Sequence, residues 1–225
     1  MILKFGFLDN EITFTNSYIN VLEVENKKYF YRIVEELLLT NNGSNSEEVT
    51  FFDSKYKEQN LNNKLKIIID YFNLDFDNKK YISEVHKSIS NLIDDATKHN
   101  ILSNYNKMCN TLKKIIDDID IPLVINEELD FDSLFKLIKV SINSKTDLLE
   151  NLLLLIDIEK TFNINKLLVF VNLKQYLSVE ELSELYKYAI YNNVYIMLID
   201  SQAYGTCTEY EKKLIIDQNL DEFVI

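Results

Sequence analysis

Two unbroken apolar runs, Lys166–Val171 (KLLVFV) and Val194–Ile199 (VYIMLI), constrain the fold more than any other feature of this chain. A strand with one wet face alternates apolar and polar residues. A run with no such alternation belongs to a strand covered on both faces, as in a parallel sheet between helices. Between the runs, Ser178-Val179-Glu180-Glu181 has the pattern of a capping box, in which the Ser hydroxyl and the Glu carboxylate satisfy N–H groups that have no partner inside the helix. Leu182, Leu185, Tyr186 and Ala189 then recur at helical spacing. The segment reads as one strand–helix–strand unit, whose crossover is expected to be right-handed.

The first third of the chain also reads as α/β. Leu3, Phe5 and Phe7 alternate with other residues, Asp9–Asn10 signals a turn, and Ile12 and Phe14 alternate again. Ile19–Val24 is a third strand. Lys27–Leu39 is a helix with Phe30, Ile33, Val34 and Leu37 on one face. Residues 41–45 form a loop, Val49–Asp53 is a short strand, and Glu222–Ile225 closes the chain as another.

Residues 61–162 change character. Leu61, Leu65, Ile68, Ile69 and Phe72 form one helical stripe; Ile82, Val85, Ile89, Leu92 and Ala96 form a second; Ile101, Tyr105, Met108, Leu112, Ile115 and Ile119 form a third. The rhythm predicts long helices, broken near Asn100–Asn104, that pack as an antiparallel hairpin or against a partner chain. Two more helices are expected at Phe131–Ile142 and Asp147–Phe162. The predicted architecture is an α/β head with a parallel sheet, built from residues 1–60 and 164–225, and an inserted α-helical leg over residues 61–163.

Three shortages argue against whole classes of function. The three glycines, Gly6, Gly43 and Gly205, lie far apart, so neither a GxxxxGK[ST] nor a GxGxxG motif exists. A backbone that wraps phosphate needs glycines in close order, so the sequence argues against a P-loop nucleotide hydrolase and a dinucleotide-binding dehydrogenase, and no nucleotide cofactor is expected. A divergent hydrolase that keeps the α/β head would need a phosphate loop the chain lacks. Arg32 is the only arginine, which leaves little means of reading guanine edges. The two cysteines make no disulfide framework, the N-terminus lacks the basic and apolar regions of a signal peptide, and no apolar run approaches ~20 residues. A cytoplasmic location away from the membrane is the expectation. The formal charge is −12. Phosphate binding is mainly electrostatic, so nucleic acid would bind only where lysines gather on one face or channel, or where divalent cations neutralise carboxylates.

Candidate chemistry is sparse. Asp53 and Asp200 each end an apolar strand, where the expected role is a solvated turn or cap. His86 and His99 share no helix face and have no third ligand nearby, so they are expected to be exposed or half-buried helix residues. Cys109 reads as packing, and Cys207 has no base close in sequence. Glu127, Glu128, Asp130 and Asp132 precede an apolar helix, where carboxylates serve as helix caps or, in a sharper reading, as ligands of a hard cation such as Ca²⁺. Lys55, Lys57, Lys136, Lys139 and Lys145 are a solvated face unless oligomerisation collects them around a hole.

Residues 51–58 (FFDSKYKE) and 166–172 (KLLVFVN), followed by Tyr176-Leu177, an acidic helix and a second apolar strand, resemble the short form of the Csn-two family of type II-A CRISPR adaptation proteins. The Leu8-Asp9 turn and the Val21-Leu22-Glu23 strand are similar to that family as well. The resemblance implies an α/β head related to P-loop ATPases but without the phosphate loop, and an inserted helical leg. It implies a non-enzymatic homotetrameric ring whose lysine-lined hole threads double-stranded DNA from its ends. It also implies bound Ca²⁺, with Glu127, Glu128, Asp130 and Asp132 as the nearest ligands, and work in spacer acquisition beside the CRISPR integrase proteins and the effector nuclease. Lys136 and Lys139 are the leg positions it suggests for DNA. A chain of this composition could also serve as an acidic helical scaffold that binds no DNA.

Overall fold

The structure, a computed structural model, describes residues 1–44, 48–61, 64–205 and 208–225. Cys207 therefore lies outside the described residues. The chain divides into two compact units, residues 1–74 with 144–225, and residues 75–143.

The first unit holds two sheets. Strands β1 (Ile2–Phe5), β2 (Ile12–Thr13), β4 (Val49–Phe52) and β5 (Glu58–Gln59) form an antiparallel sheet in the order β2-β1-β4-β5. Strands β3 (Ile19–Val24), β6 (Leu65–Ile68), β7 (Leu167–Val171), β8 (Ile196–Asp200), β9 (Glu211–Ile216) and β10 (Glu222–Val224) form the second, in the order β10-β9-β3-β8-β7-β6. All pairs in this sheet are parallel except β9 with the terminal β10. Helices α1 (Lys27–Asn41), α5 (Leu148–Phe162) and α6 (Val179–Tyr191) belong to the same unit, as does a 3₁₀ turn at Leu173–Gln175.

Strand alternation sorts the residues of β3 onto two faces. Leu22 and Val24 join Leu3, Phe5, Phe51, Ile33 and Leu37 in a core that also takes Val169, Met197 and Ile199. Val21 and Glu23 take the opposite face. The predicted capping box is present at α6, with Ser178 Oγ accepting from the Glu181 N–H and a Glu181 carboxylate oxygen accepting from the Ser178 N–H. Leu182, Leu185, Tyr186 and Ala189 are its buried residues, as the spacing predicts.

The second unit contains α2 (Lys79–Leu92), α3 (Asp95–Ile116) and α4 (Phe131–Leu137). Asn78, Asp94 and Asp130 cap the three helices by accepting from N–H groups of the first turn. Residues of all three helices line an apolar hollow of about 860 Å³ that includes Ile89, Ile101, Met108 and Leu134.

Several expectations for residues 61–163 need correction. The stripe from Leu61 to Phe72 is not a helix: residues 65–68 pair with 167–170 as the edge strand of the parallel sheet. A short apolar run fits either period, and here pairing with β7 decides. The helix break lies at Ile93–Asp94, not at Asn100–Asn104, because Asp94 caps α3 and the Asn-rich stretch stays helical. Helix α4 ends at Leu137 rather than Ile142. Lys139 takes a left-handed φ of 55°, and the Val140 N–H reaches back to the Phe135 carbonyl at 3.1 Å, a Schellman-type stop without glycine. The boundaries of the insert move accordingly, since β6 and α5 belong with the sheet rather than with the leg.

Candidate functional site

The sequence-predicted lysines fall in both units. Lys55 and Lys57 flank a tight turn in the first unit, where Asp53 accepts from both of their backbone N–H groups at 2.8 and 3.0 Å and Tyr56 has a φ of 56°. Those two bonds hold the Asp53 carboxyl below its usual range, and the turn role expected of Asp53 is what the geometry shows. Both ammonium groups are exposed, with no ion-pair partner among the described residues. Lys145 also belongs to the first unit, and its backbone is tied to Asn151 by two hydrogen bonds of 2.9 Å. Lys136 and Lys139 belong to the second. Lys136 is paired with Asp132 at 2.5 Å, one turn earlier on the same helix.

The four leg carboxylates are dispersed among separate tasks. Glu127 pairs with Lys113. Asp130 is the cap of α4, accepting from the N–H groups of Asp132 and Ser133 and from the Ser133 hydroxyl, which lowers its pKa, the hydroxyl bond contributing most. Asp132 lies between Lys136 and His86 Nδ1, the latter at 2.8 Å, and both bonds lower its pKa, Lys136 more. The Glu128 carboxylate has no hydrogen bond with the described residues, and its backbone N–H donates to Asn126. Among the described residues no group of three or more His, Cys, Asp or Glu is gathered as a metal site would require. These four residues, as arranged, do not fit a calcium ion. His86 is buried against Phe135, where an exposed or half-buried position was expected, and its Nε2 has no partner among the described residues. His99 is exposed on α3, and Cys109 is buried as packing.

The densest charge in the head was not singled out in the sequence. Four charged side chains meet on one face of the parallel sheet: Glu23 near the end of β3, Lys174 just after β7, and Glu211 and Lys213 from the first half of β9. Lys174 Nζ lies 3.0 Å from Glu23 and 3.1 Å from Glu211, and Lys213 Nζ lies 3.0 Å from Glu23 and 3.6 Å from Glu211. The Tyr186 hydroxyl donates to Glu211 at 2.9 Å. All four charged side chains are at most 5% exposed. Burial disfavours the Lys174 ammonium, but the charges of Glu211 and Glu23 outweigh it and its pKa is raised. Asp200 is the register partner of Glu23 on β8 and is fully buried; neither carboxyl oxygen has a well-formed hydrogen bond among the described residues, although the Lys174 backbone N–H lies near enough to favour the ionised form. Burial pushes its pKa up to about 7, Lys174 pulls it down, and Glu23 and Glu211 add to the rise. The solvated cap expected at Asp200 is thus overturned: the strand end is sealed. A charge within VLEV and two lysines before an apolar run in EKKLII were the only hints of this cluster.

Where a phosphate loop would follow the central strand, only Glu25 and Asn26 separate β3 from α1. The Asn26 side chain accepts from the Lys28 and Tyr29 N–H groups, occupying the helix N-terminus that an anion would need.

A crystal structure of Stu0660 of Streptococcus thermophilus superposes on this fold with a TM-score of 0.61 at 12% identity, over 96% of this chain and 75% of that one. A putative ABC transporter ATP-binding protein from Pyrococcus furiosus reaches 0.43 at 7% identity, over 95% of this chain and 97% of that one. An ATP-bound bacterial Atm1-family ABC exporter reaches 0.40 at 11% identity, over 96% of this chain and 37% of that one. The last two are too distant to bear on the fold. No curated protein matches the sequence. Residues 42–220 match the profile of the CRISPR-associated protein (Cas_Csn2) family, so the chain belongs to that family and has a CRISPR-associated role.

Proposed function

We propose that this protein is a non-enzymatic ring that binds the ends of double-stranded DNA without sequence preference during CRISPR spacer acquisition. Family membership over residues 42–220 is the observation that carries the reading. It works as a homotetramer alongside the integrase proteins and the effector nuclease. Two features of the chain support it. Lys55, Lys57, Lys139 and Lys145 have no ion-pair partner among the described residues and are available for phosphate. Met108, Leu112 and Ile115 are 47%, 44% and 59% exposed along one face of α3, an apolar stripe that a second copy would cover. With only Arg32 available, affinity comes from phosphate contacts and duplex shape rather than base edges. Calcium assistance enters only as an arm of the test, because the four leg carboxylates do not converge.

A second reading, an acidic helical scaffold without DNA affinity, draws on the net charge of −12. Band-shift measurements with linear and covalently closed circular duplex of equal length, with Ca²⁺ and with chelator, separate the two. Retention of the linear form alone, weakened by salt, supports the threaded ring. No shift of either form by folded, oligomeric protein leaves the scaffold. Among the described residues no helix is long and apolar enough to cross a membrane.

A further inference from the structure

We propose that Asp200 is a proton-binding latch for Ser201–Gly205, the segment that leaves β8 at the carboxyl edge of the parallel sheet: with the proton bound the segment is held, and with the proton lost it is released. The segment is tied down by the same charges that surround Asp200. The Tyr204 N–H donates to Glu23 at 3.1 Å, the Tyr204 carbonyl accepts from Lys213 at 2.7 Å, and the Lys174 ammonium lies 5.5 Å from the Tyr204 ring centroid. The Ser201 N–H donates to Asn172 Oδ1 at 2.8 Å, at the end of β7.

Charge balance decides why Asp200 and no other group titrates the latch. Glu23 and Glu211 share Lys174 and Lys213, two negative charges against two positive, with every pair within 3.6 Å. Asp200 is a third acid with no ion-pair partner among the described residues; Lys174, through its ammonium charge and its backbone N–H, favours the ionised form without offsetting burial. Protonated, it leaves the buried set neutral. Ionised, it adds an uncompensated buried charge, which a protein interior tolerates poorly. The groups that face it are Glu23 from β3, Lys174 from the turn after β7, Glu211 from β9, Tyr186 from α6 and Tyr71. None of the tyrosines supplies a cation, and the Lys174 ammonium is already shared between Glu23 and Glu211. Water reaches the new charge most directly by lifting the segment that begins at the next residue. In open α/β sheets the carboxyl edge between neighbouring strands is where a ligand crevice lies. Here that edge is closed by the chain itself, and the proton controls the closure.

Amide hydrogen exchange of the full chain, read by mass spectrometry at about pH 6 and about pH 8.5 and corrected for intrinsic rates, tests this. In the wild-type chain, protection of Ser201–Gly205 should fall about tenfold across that interval, while β7 is unchanged. In Asp200→Asn it should stay within about twofold. Equal wild-type protection at both pH values, or an equal fall in the variant, overturns the latch. Should the variant fail to fold, ¹³C NMR titration of the wild-type Asp200 carboxyl decides. A midpoint near neutrality that coincides with the exchange transition supports the latch, and one below about pH 5 overturns it.

Discussion

Replacing Asp200 with Asn should change how stability depends on pH. The folded chain holds this carboxyl at about 7, against an ordinary 3.8. The raised value means that between those limits the native state keeps a proton that the unfolded chain has already lost. Stability from this group is therefore largest in acid and falls as pH rises, levelling off above about 7. Each pH unit well inside the window is worth about 1.4 kcal/mol and the slope fades near either limit, so pH 4 to pH 8 spans about 3.7 kcal/mol. Local relaxation and water entry trim this to ~2 kcal/mol. The neutral amide removes the slope, so the variant should match the wild-type chain near pH 4 and exceed its stability by ~2 kcal/mol at pH 8. Urea unfolding followed by far-ultraviolet circular dichroism would read this as a midpoint raised by about 1 M at pH 8. If the two chains keep parallel stabilities from pH 5 to pH 8, Asp200 is not held protonated and the reasoning from its burial is wrong.

Lys213→Met should destabilise the head by about 3–5 kcal/mol, because Glu23 and Glu211 are left with one cation between them, measured by the same urea unfolding. Ser178→Ala should cost about 1 kcal/mol by removing half of the α6 capping box, read as a lower thermal midpoint with an unchanged dichroism spectrum. Met108→Asp combined with Leu112→Asp should reduce the assembly to smaller species in sedimentation while helix content is kept; an unchanged assembly would remove this stripe from the proposed ring. Lys55→Glu combined with Lys57→Glu should weaken linear duplex binding and flatten the dependence of log affinity on log salt by ~0.9 for each phosphate no longer neutralised; an unaltered slope would place the DNA surface elsewhere.

What could be read in advance divides along physical lines. The strand–helix–strand unit from Leu167 to Asp200 was legible because both strands are apolar throughout and the helix carries its own cap, all within one short stretch. The strand at Leu65–Ile68 was not, because four residues do not fix a period and its partner β7 lies beyond the whole inserted unit. The stop of α4 at Lys139 was hidden because a left-handed residue without glycine or asparagine leaves no mark in composition. The lysines and leg carboxylates could be named as residue types, yet their commitments, such as His86 with Asp132, join positions far apart in the chain. The buried cluster was missed for the same reason. Glu23, Lys174 and Glu211 are each unremarkable in place, and only the order of strands in the sheet brings them together.

That strand order also bears on how the chain acquires its structure. β3 is completed by Val24, but its two neighbours in the sheet, β8 and β9, come from residues 196–216. A nascent chain emerging from the ribosome therefore carries a hydrophobic strand with both hydrogen-bonding edges open until residues 196–216 have been made. Pairings this distant in sequence close slowly, and an unpaired apolar edge invites association with other chains meanwhile. Premature termination anywhere before residue 196 would leave β3 with no partner on either side. Such fragments should be aggregation-prone and quickly degraded, rather than surviving as a folded N-terminal half.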